Sequence, residues 1–152
     1  MRLGDTAAAV GKGLVAGAAG TAAMTVSSTL EAKLRERGSS SAPADAAGKV
    51  LGVQPRDEAG EARFSNFVHW SYGTSWGAAR GLLHAAGLAG PTAVAAHFAV
   101  VWGSSQAMLP ALDVAPPPWK SPPEEIAIDA FHHAVYALAT GIAFTLLERS
   151  SS

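Results

Sequence analysis

Long uncharged stretches alternate with charged ones along this chain, and that pattern predicts its elements. Residues 88–110 contain no Asp, Glu, Lys or Arg, over about the length of a helix that crosses a bilayer. Residues 13–30 are also uncharged, and the neighbouring Lys12 can extend its ammonium group to a membrane surface. Both stretches are therefore predicted to be membrane-spanning helices.

Two further stretches have the length of a span but contain ionisable residues. Residues 64–87 include His69, and residues 126–147 include Asp129. An ionisable side chain that faces lipid is costly, so these helices are expected to turn such groups toward the protein interior. The predicted fold is an all-α membrane protein, a single up-down bundle over residues 1–152 with transmembrane helices at about 8–31, 64–87, 88–110 and 124–148.

The connections between these helices differ in character. Residues 32–63 form a charged connection, which is long enough to hold a short amphipathic helix. A Gly-x-x-Gly-Pro sequence at 87–91 predicts a tight turn, and residues 111–123 form a proline-rich loop. Six of the 11 basic residues lie in the first connection. The positive-inside rule therefore predicts that residues 32–63 are cytoplasmic and that both termini are outside.

Composition agrees with a membrane location and excludes several other classes. Only 15% of the residues are charged, against about 25% in ordinary soluble domains. The net charge of -1 offers no basic surface for nucleic acid. The absence of cysteine excludes disulfides and thiolate metal sites. The mean hydropathy of +0.19 is modest, however, so a soluble, alanine-rich helical bundle remains the alternative fold.

Small residues recur at helical spacing in the first two predicted helices. In the second helix they form two overlapping G-x-x-x-G units, whose missing side chains let another backbone approach closely. The two small-residue faces are expected to pack against each other, with self-association as a secondary expectation. The residues concerned are Gly13, Gly17 and Gly20 in the first helix and Gly73, Gly77 and Gly81 in the second.

Polar and ionisable residues also share one face of each helix. At a rise of 1.5 Å per residue, His69 and Asp129 come to a similar depth from the same end. His97 lies near the middle of the third helix, on a face from which Trp102 is expected to point away. The predicted polar site consists of His69, His97, Asp129, His132, His133 and Tyr136.

Three interpretations of this polar site compete. In the first, Asp129, His69 and His133 satisfy one another and hold the helices in register, as in a structural or accessory subunit of a membrane assembly. In the second, they form a path for protons or ions, because histidine titrates near neutral pH. In the third, the same three residues ligate a metal ion, or two histidines ligate haem.

Motifs typical of enzymes are missing from the sequence. It contains no G-x-S-x-G elbow, no Walker loop and no Rossmann fingerprint. The sequence therefore gives no support for catalysis. The expected partners are the lipid bilayer and either a second copy of the chain or another protein of a membrane complex.

The order of motifs in residues 66–148 is similar to that of a known family. A helix with an early histidine, His69, and small residues precedes a second helix, and a proline-rich loop then leads to an acid-x-aromatic-x-His element, here Asp129, Phe131 and His133. In these features the chain resembles the YagU-like family of small bacterial inner-membrane proteins, whose function is not established. The resemblance implies an all-helical inner-membrane protein and no particular substrate, and it marks the same acid and two histidines as positions of interest.

Overall fold

The computed structural model of the chain describes residues 2–36, 38, 40–53 and 55–151. Within these residues the chain forms five α-helices and no strand: α1 Leu3–Leu34, α2 Ala42–Leu51, α3 Glu58–Ala85, α4 Gly90–Ala111 and α5 Pro123–Arg149. A short 3₁₀ turn, Pro118–Lys120, precedes α5. The prediction of an all-helical protein is confirmed, and α2 is the short helix that the first connection was expected to accommodate.

Each of the four long helices overlaps one predicted helix, but α1 and α3 begin earlier than predicted. The side chain of Asp57 caps α3 by accepting a hydrogen bond of 2.6 Å from the backbone N–H of Gly60. The acidic residues Glu58 and Glu61 follow in the first turn, where they interact favourably with the helix dipole. Part of the charged connection therefore belongs to the helix.

Adjacent long helices run in opposite directions, which gives the molecule two ends. α1 packs against α3 and α5, and α4 packs against α5 and α3. At one end, called here the Lys12 end, Lys12 of α1 contacts Glu148 of α5. At the other, called the Glu31 end, the last turn of α1 lies beside the first turn of α5, and Arg35 contacts Glu125.

The closest approach between two helices is the crossing of α1 and α3. A Cβ atom added to Gly17 would lie 2.7 Å from the Thr74 carbonyl oxygen and 2.8 Å from the Gly77 Cα. A Cβ on Gly13 would overlap the Gly77 carbonyl oxygen, and one on Gly81 would overlap the carbonyl oxygen of α1 residue Ala9. The two backbones are therefore in direct contact, as in small-residue interfaces of membrane helices.

Two of the predicted packing glycines have side chains as their nearest neighbours. Gly73 faces the side chain of Thr21 on α1. Gly20 faces Tyr136 and Thr140 of α5 instead of α3, because α1 lies between the two helices. The small-residue stripe of α1 thus serves two interfaces, where the sequence analysis assigned it to one.

The interior of the protein is made mainly of small and polar residues. Only one of its largest fully buried side chains, Phe144, is apolar; the others are His97, Thr21 and Thr140. Large aliphatic side chains face outward instead: Val15, Val26 and Ile142 are 62%, 60% and 63% exposed. This distribution is the reverse of that in a soluble helical protein, which buries its large apolar side chains.

Two of the described helices, α1 and α5, are long and apolar enough to cross a membrane by length and composition. Only 33% of the apolar window of each is buried in the protein. The predicted spans at 64–87 and 88–110, which correspond to α3 and α4, do not meet this hydropathy criterion. The span at 88–110 is uncharged, but its glycine, serine, glutamine and histidine residues lower its hydropathy.

The first connection is anchored to the third. α2 packs on α3, and the ammonium group of Lys49 donates to the carbonyl oxygens of Leu112 and Asp113, at 2.6 and 2.9 Å. These carbonyl groups follow directly after α4, where helix-end acceptors lack partners within the helix. A positive charge at this position also complements the helix dipole.

The α1–α3 crossing predicts unequal effects of two alanine substitutions in the same helix. Gly17→Ala should lower the free energy of unfolding by about 1–3 kcal/mol, because the added methyl group meets the backbone of α3. Gly11→Ala adds a methyl group with nothing within 4 Å, and should be neutral or stabilise by up to about 1 kcal/mol through helix propensity. Thermal unfolding followed by circular dichroism measures both changes. Equal effects of the two substitutions would contradict the close crossing.

Candidate functional site

The carboxylate of Asp129 connects α5 to α4 near the Glu31 end. Its Oδ2 atom accepts hydrogen bonds from Nε1 of Trp102 and from Nε2 of Gln106, both at 2.9 Å. The Nδ1 atom of His133, one turn along α5, lies 3.3 Å from Oδ1. The acid that the sequence marked is therefore held by one histidine of its own helix and by two donors of α4.

Two of these partners were not identified from the sequence. Trp102 was expected to point away from the polar face, yet its indole N–H donates to Asp129. Trp102 and Gln106 are four residues apart and thus share one face of α4. That spacing was the available signal, but it does not reveal which neighbouring helix the face contacts.

The protonation of His133 at one ring nitrogen follows from its contacts. Its Nδ1 atom lies 2.8 Å from the backbone carbonyl oxygen of Asp129. A carbonyl oxygen only accepts hydrogen bonds, so Nδ1 must carry a hydrogen. The predicted pair of Asp129 and His133 is thus a real contact in which the histidine is the donor.

His132 points to the opposite side of α5, toward α1. Its Nδ1 atom lies 2.9 Å from the Ser27 hydroxyl oxygen, and that hydroxyl donates to the Met24 carbonyl oxygen at 3.0 Å. Because the hydroxyl hydrogen is engaged with Met24, Nδ1 of His132 is the donor in this pair. The Nε2 atom of a neutral His132 then carries a lone pair.

The Nε2 atom of His132 is the most informative atom of the site. It is buried, has no hydrogen-bond partner among the residues that the structure describes, and lies 3.8 Å from Oε2 of Glu31. The His132 side chain is only 6% exposed. A proton added to Nε2 would place a positive charge beside a carboxylate in a largely dry environment, where the attraction between the two is strong.

Glu31 in turn leads to a group of charges at the surface. Arg35 contacts Glu31 at 3.3 Å and donates to Glu125 at 2.6 Å, and it lies 3.5 Å from Glu124. The hydrogen bond to Glu125 raises the pKa of the Arg35 guanidinium above its usual value. His132 is therefore separated from the exposed Glu31 end by one carboxylate and its paired arginine.

His69 does not join the other predicted site residues. Its Nε2 atom lies 2.8 Å from the hydroxyl of Thr25 on α1, which itself donates to the Thr21 carbonyl oxygen. Within the described part of the chain, no three His, Asp or Glu side chains are grouped so that they could hold a metal ion. The predicted ligand set of His69, Asp129 and His133 is not assembled, because His69 is engaged by Thr25 of α1 whereas the Asp129 carboxylate is bonded to donors of α4.

His97 and Tyr136 meet in the middle of the molecule. His97 is fully buried, and its Nε2 donates to the Trp76 carbonyl oxygen at 3.0 Å. Its other nitrogen, Nδ1, has no hydrogen-bond partner among the described residues. The centres of the His97 and Tyr136 rings are 5.5 Å apart, and the Tyr136 hydroxyl donates to the Gly73 carbonyl oxygen at 2.6 Å.

A second set of charges, absent from the predicted site, lies toward the Lys12 end. Glu148 accepts a hydrogen bond from Lys12 at 2.7 Å and lies 3.2 Å from Nε2 of His84. Arg80 is only 3% exposed, and its guanidinium stacks 4.2 Å from the centre of the Phe144 ring. An up-down bundle brings the start of α1 and the end of α5 to the same end of the molecule. That arrangement could have predicted the contact between Lys12 and Glu148.

The contribution of the hydrogen bonds between α4 and Asp129 of α5 can be tested by removing one donor. Trp102→Phe keeps an aromatic ring but deletes the N–H that bonds to Asp129. Since hydrogen bonds to charged groups contribute about 1.5–3 kcal/mol, we expect a loss of that order in the free energy of unfolding.

Trp119→Phe is the matched control, because Trp119 is exposed in the proline-rich loop and its replacement should leave stability unchanged. Denaturant unfolding of both variants measures the difference. A Trp102→Phe protein as stable as the control would show that the contact with Asp129 contributes nothing.

Comparisons of the chain with protein families, with curated proteins and with solved structures give no match. The function of the site is therefore inferred from its own contacts.

Proposed function

We propose that this chain is an integral membrane protein in which α1, α3, α4 and α5 cross the bilayer as an up-down four-helix bundle. The observation that carries the proposal is the outward position of large aliphatic side chains such as Val15, Val26 and Ile142, around an interior of small and polar residues. In lipid these side chains meet an apolar environment, whereas in water they would form exposed apolar patches. This distribution favours a membrane protein over a soluble, alanine-rich bundle.

The two less apolar helices also fit such a bundle. The 22 residues of α4 extend about 33 Å at 1.5 Å per residue, close to the thickness of the hydrocarbon core. Two polar side chains of α3 and α4 are turned inward, since Arg80 and His97 are both buried. These two side chains lower the hydropathy of their helices although they would not meet lipid.

The charges support an orientation. Basic residues of the first connection, including Lys33, Arg35 and Lys49, lie at the Glu31 end. By the positive-inside rule we propose that this end is cytoplasmic and that both termini are outside. The resemblance of residues 66–148 to the YagU-like family supports the bacterial inner membrane as the location, and membership of that family is part of the proposal.

Within this bundle we propose that His132 takes up a proton from the Glu31 side, which makes the protein responsive to pH on that side. Its buried Nε2 atom faces the Glu31 carboxylate at 3.8 Å. Protonation converts this contact into an ion pair between α5 and α1.

The other end of the bundle argues against a continuous path for cations. Arg80 places a buried positive charge beyond His97, and a positive charge at such a position is an electrostatic barrier to protons and cations. Access from one side only is the property of a proton-binding switch rather than of a channel. The function proposed is therefore pH sensing or proton-coupled regulation.

The contacts of Asp129 support a separate, structural role for this residue. Its carboxylate has partners on α4 and on its own helix, as expected for a polar group that holds helices together. These contacts favour a structural role for Asp129, as in an accessory subunit, and the proposed proton uptake does not depend on it.

The number of spans can be tested with cysteines, because the chain has none of its own. Ser40→Cys, Ala86→Cys and Ser151→Cys variants would be labelled in intact cells with a maleimide that does not cross membranes. Four spans with a cytoplasmic first connection predict labelling at 86 and 151 but not at 40. Labelling at 40 would reverse the orientation, and position 86 behaving like position 40 would mean that only α1 and α5 cross.

The contact between His132 and Glu31 can be tested by a double-mutant cycle. The proposal predicts that His132→Gln and Glu31→Gln interact at low pH. The effect of the double substitution should be smaller than the sum of the two single effects, with a coupling of about 0.5–3 kcal/mol in the free energy of unfolding.

Thermal unfolding in detergent at several pH values measures the cycle. His69→Gln is the control, since His69 contacts Thr25 and has no acidic partner among the described residues. Independent effects of the two substitutions at low pH would refute proton uptake at this pair.

A further inference from the structure

A groove on the outer face of the protein has not entered the proposed function. It lies between α4 and α5 toward the Lys12 end and has a volume of about 300 Å³. Two arginines and the first residue of α4 line one part, and aliphatic side chains line most of the remainder. The main lining residues are Arg80, Arg149, Gly90, Val94, Ile142 and Leu146.

The polar part of the groove contains a buried cation, Arg80, with two nitrogen atoms that lack hydrogen-bond partners. Nε and Nη1 of Arg80 are buried and have no hydrogen-bond partner among the described residues. The ring of Phe144 covers one face of the guanidinium and cannot accept these in-plane hydrogen bonds. Burying a polar group without a hydrogen-bond partner costs free energy. A ligand with acceptor oxygens would remove that cost.

Two further features add positive potential at the same place. Arg149 lies in the last turn of α5 and forms no ion pair within the described part of the chain. α4 begins at Gly90 without a side-chain cap or an acidic residue in its first turn, so its free N–H groups and dipole favour an anion. The nearby Glu148 is already bound by Lys12 and His84.

The rest of the groove suits a hydrocarbon chain. Leu138, Ile142 and Leu146 occupy successive turns of α5 along it and are 54%, 63% and 59% exposed. A free phosphate ion would leave this aliphatic surface uncovered, whereas an acyl chain attached to the phosphate would cover it. The arginines lie toward the ends of their helices, the level at which lipid headgroups are found.

We propose that this groove binds an anionic phospholipid, with its phosphate at Arg80 and Arg149 and an acyl chain along α5. Guanidinium groups match phosphate oxygens in charge and geometry. The inference rests on the proposed membrane location, but it does not depend on proton uptake by His132.

Lipid binding can be measured by the thermal stability of the detergent-purified full chain during titration with phosphatidylglycerol. We expect stabilisation at concentrations where phosphatidylcholine with the same acyl chains, or inorganic phosphate, has no effect. Arg149→Gln should weaken the response about tenfold, by the loss of one charge-assisted hydrogen bond. Arg149 is exposed, so this variant should fold even if Arg80→Gln does not.

Arg2→Gln, which removes an exposed arginine at the same end but outside the groove, is the matched control and should respond like the wild type. Equal stabilisation by the two lipids, or an unchanged response of Arg149→Gln, would overturn the inference. Stabilisation by inorganic phosphate alone would refute a lipid as the ligand. If the cysteine labelling shows that the helices cross the membrane and phosphatidylglycerol still has no selective effect, only this inference fails.

Discussion

The direct contact between the backbones of α1 and α3 is the constraint on which the rest of the structure depends. Where Gly13 and Gly17 meet Gly77, no side chain separates the two helices. This contact brings α1 so near to α3 that Thr25 reaches His69. On its other side α1 contacts α5, where Ser27 reaches His132. One helix thus supplies hydroxyl partners to two histidines and keeps them apart. A larger residue at the crossing would disturb both sides together.

The features that could be predicted from the sequence are those set within a single helix. The spacing of Gly73, Gly77 and Gly81 indicated a close-packing face, and the spacing of Asp129 and His133 indicated a pair. Partners on other helices could not be predicted, because they depend on which helix lies between two others. His69 was grouped with Asp129 by depth alone, but depth does not give the direction in which a side chain points. The contacts of Trp102 and Gln106 with Asp129 were missed for the same reason.

The mean hydropathy of a helix also does not distinguish side chains that face inward from side chains that face outward. Arg80 and His97 lower the hydropathy of α3 and α4 as though they faced the surroundings, although both are buried. Conversely, the buried faces of α1 and α5 are rich in alanine, glycine and threonine, so their large aliphatic residues are left for the outer surface. A helix can therefore be polar by average and still present an apolar face.

The hydrogen bonds of Lys49 also constrain how the protein is made. The carbonyl groups of Leu112 and Asp113 are synthesised 63 and 64 residues after this lysine. At a translation rate of about 5–20 residues per second, several seconds pass before these acceptors exist. During that interval α2 has only α3 to pack against, and Lys49 has neither of its two carbonyl acceptors. The first connection therefore reaches its final position only after α4 has been synthesised.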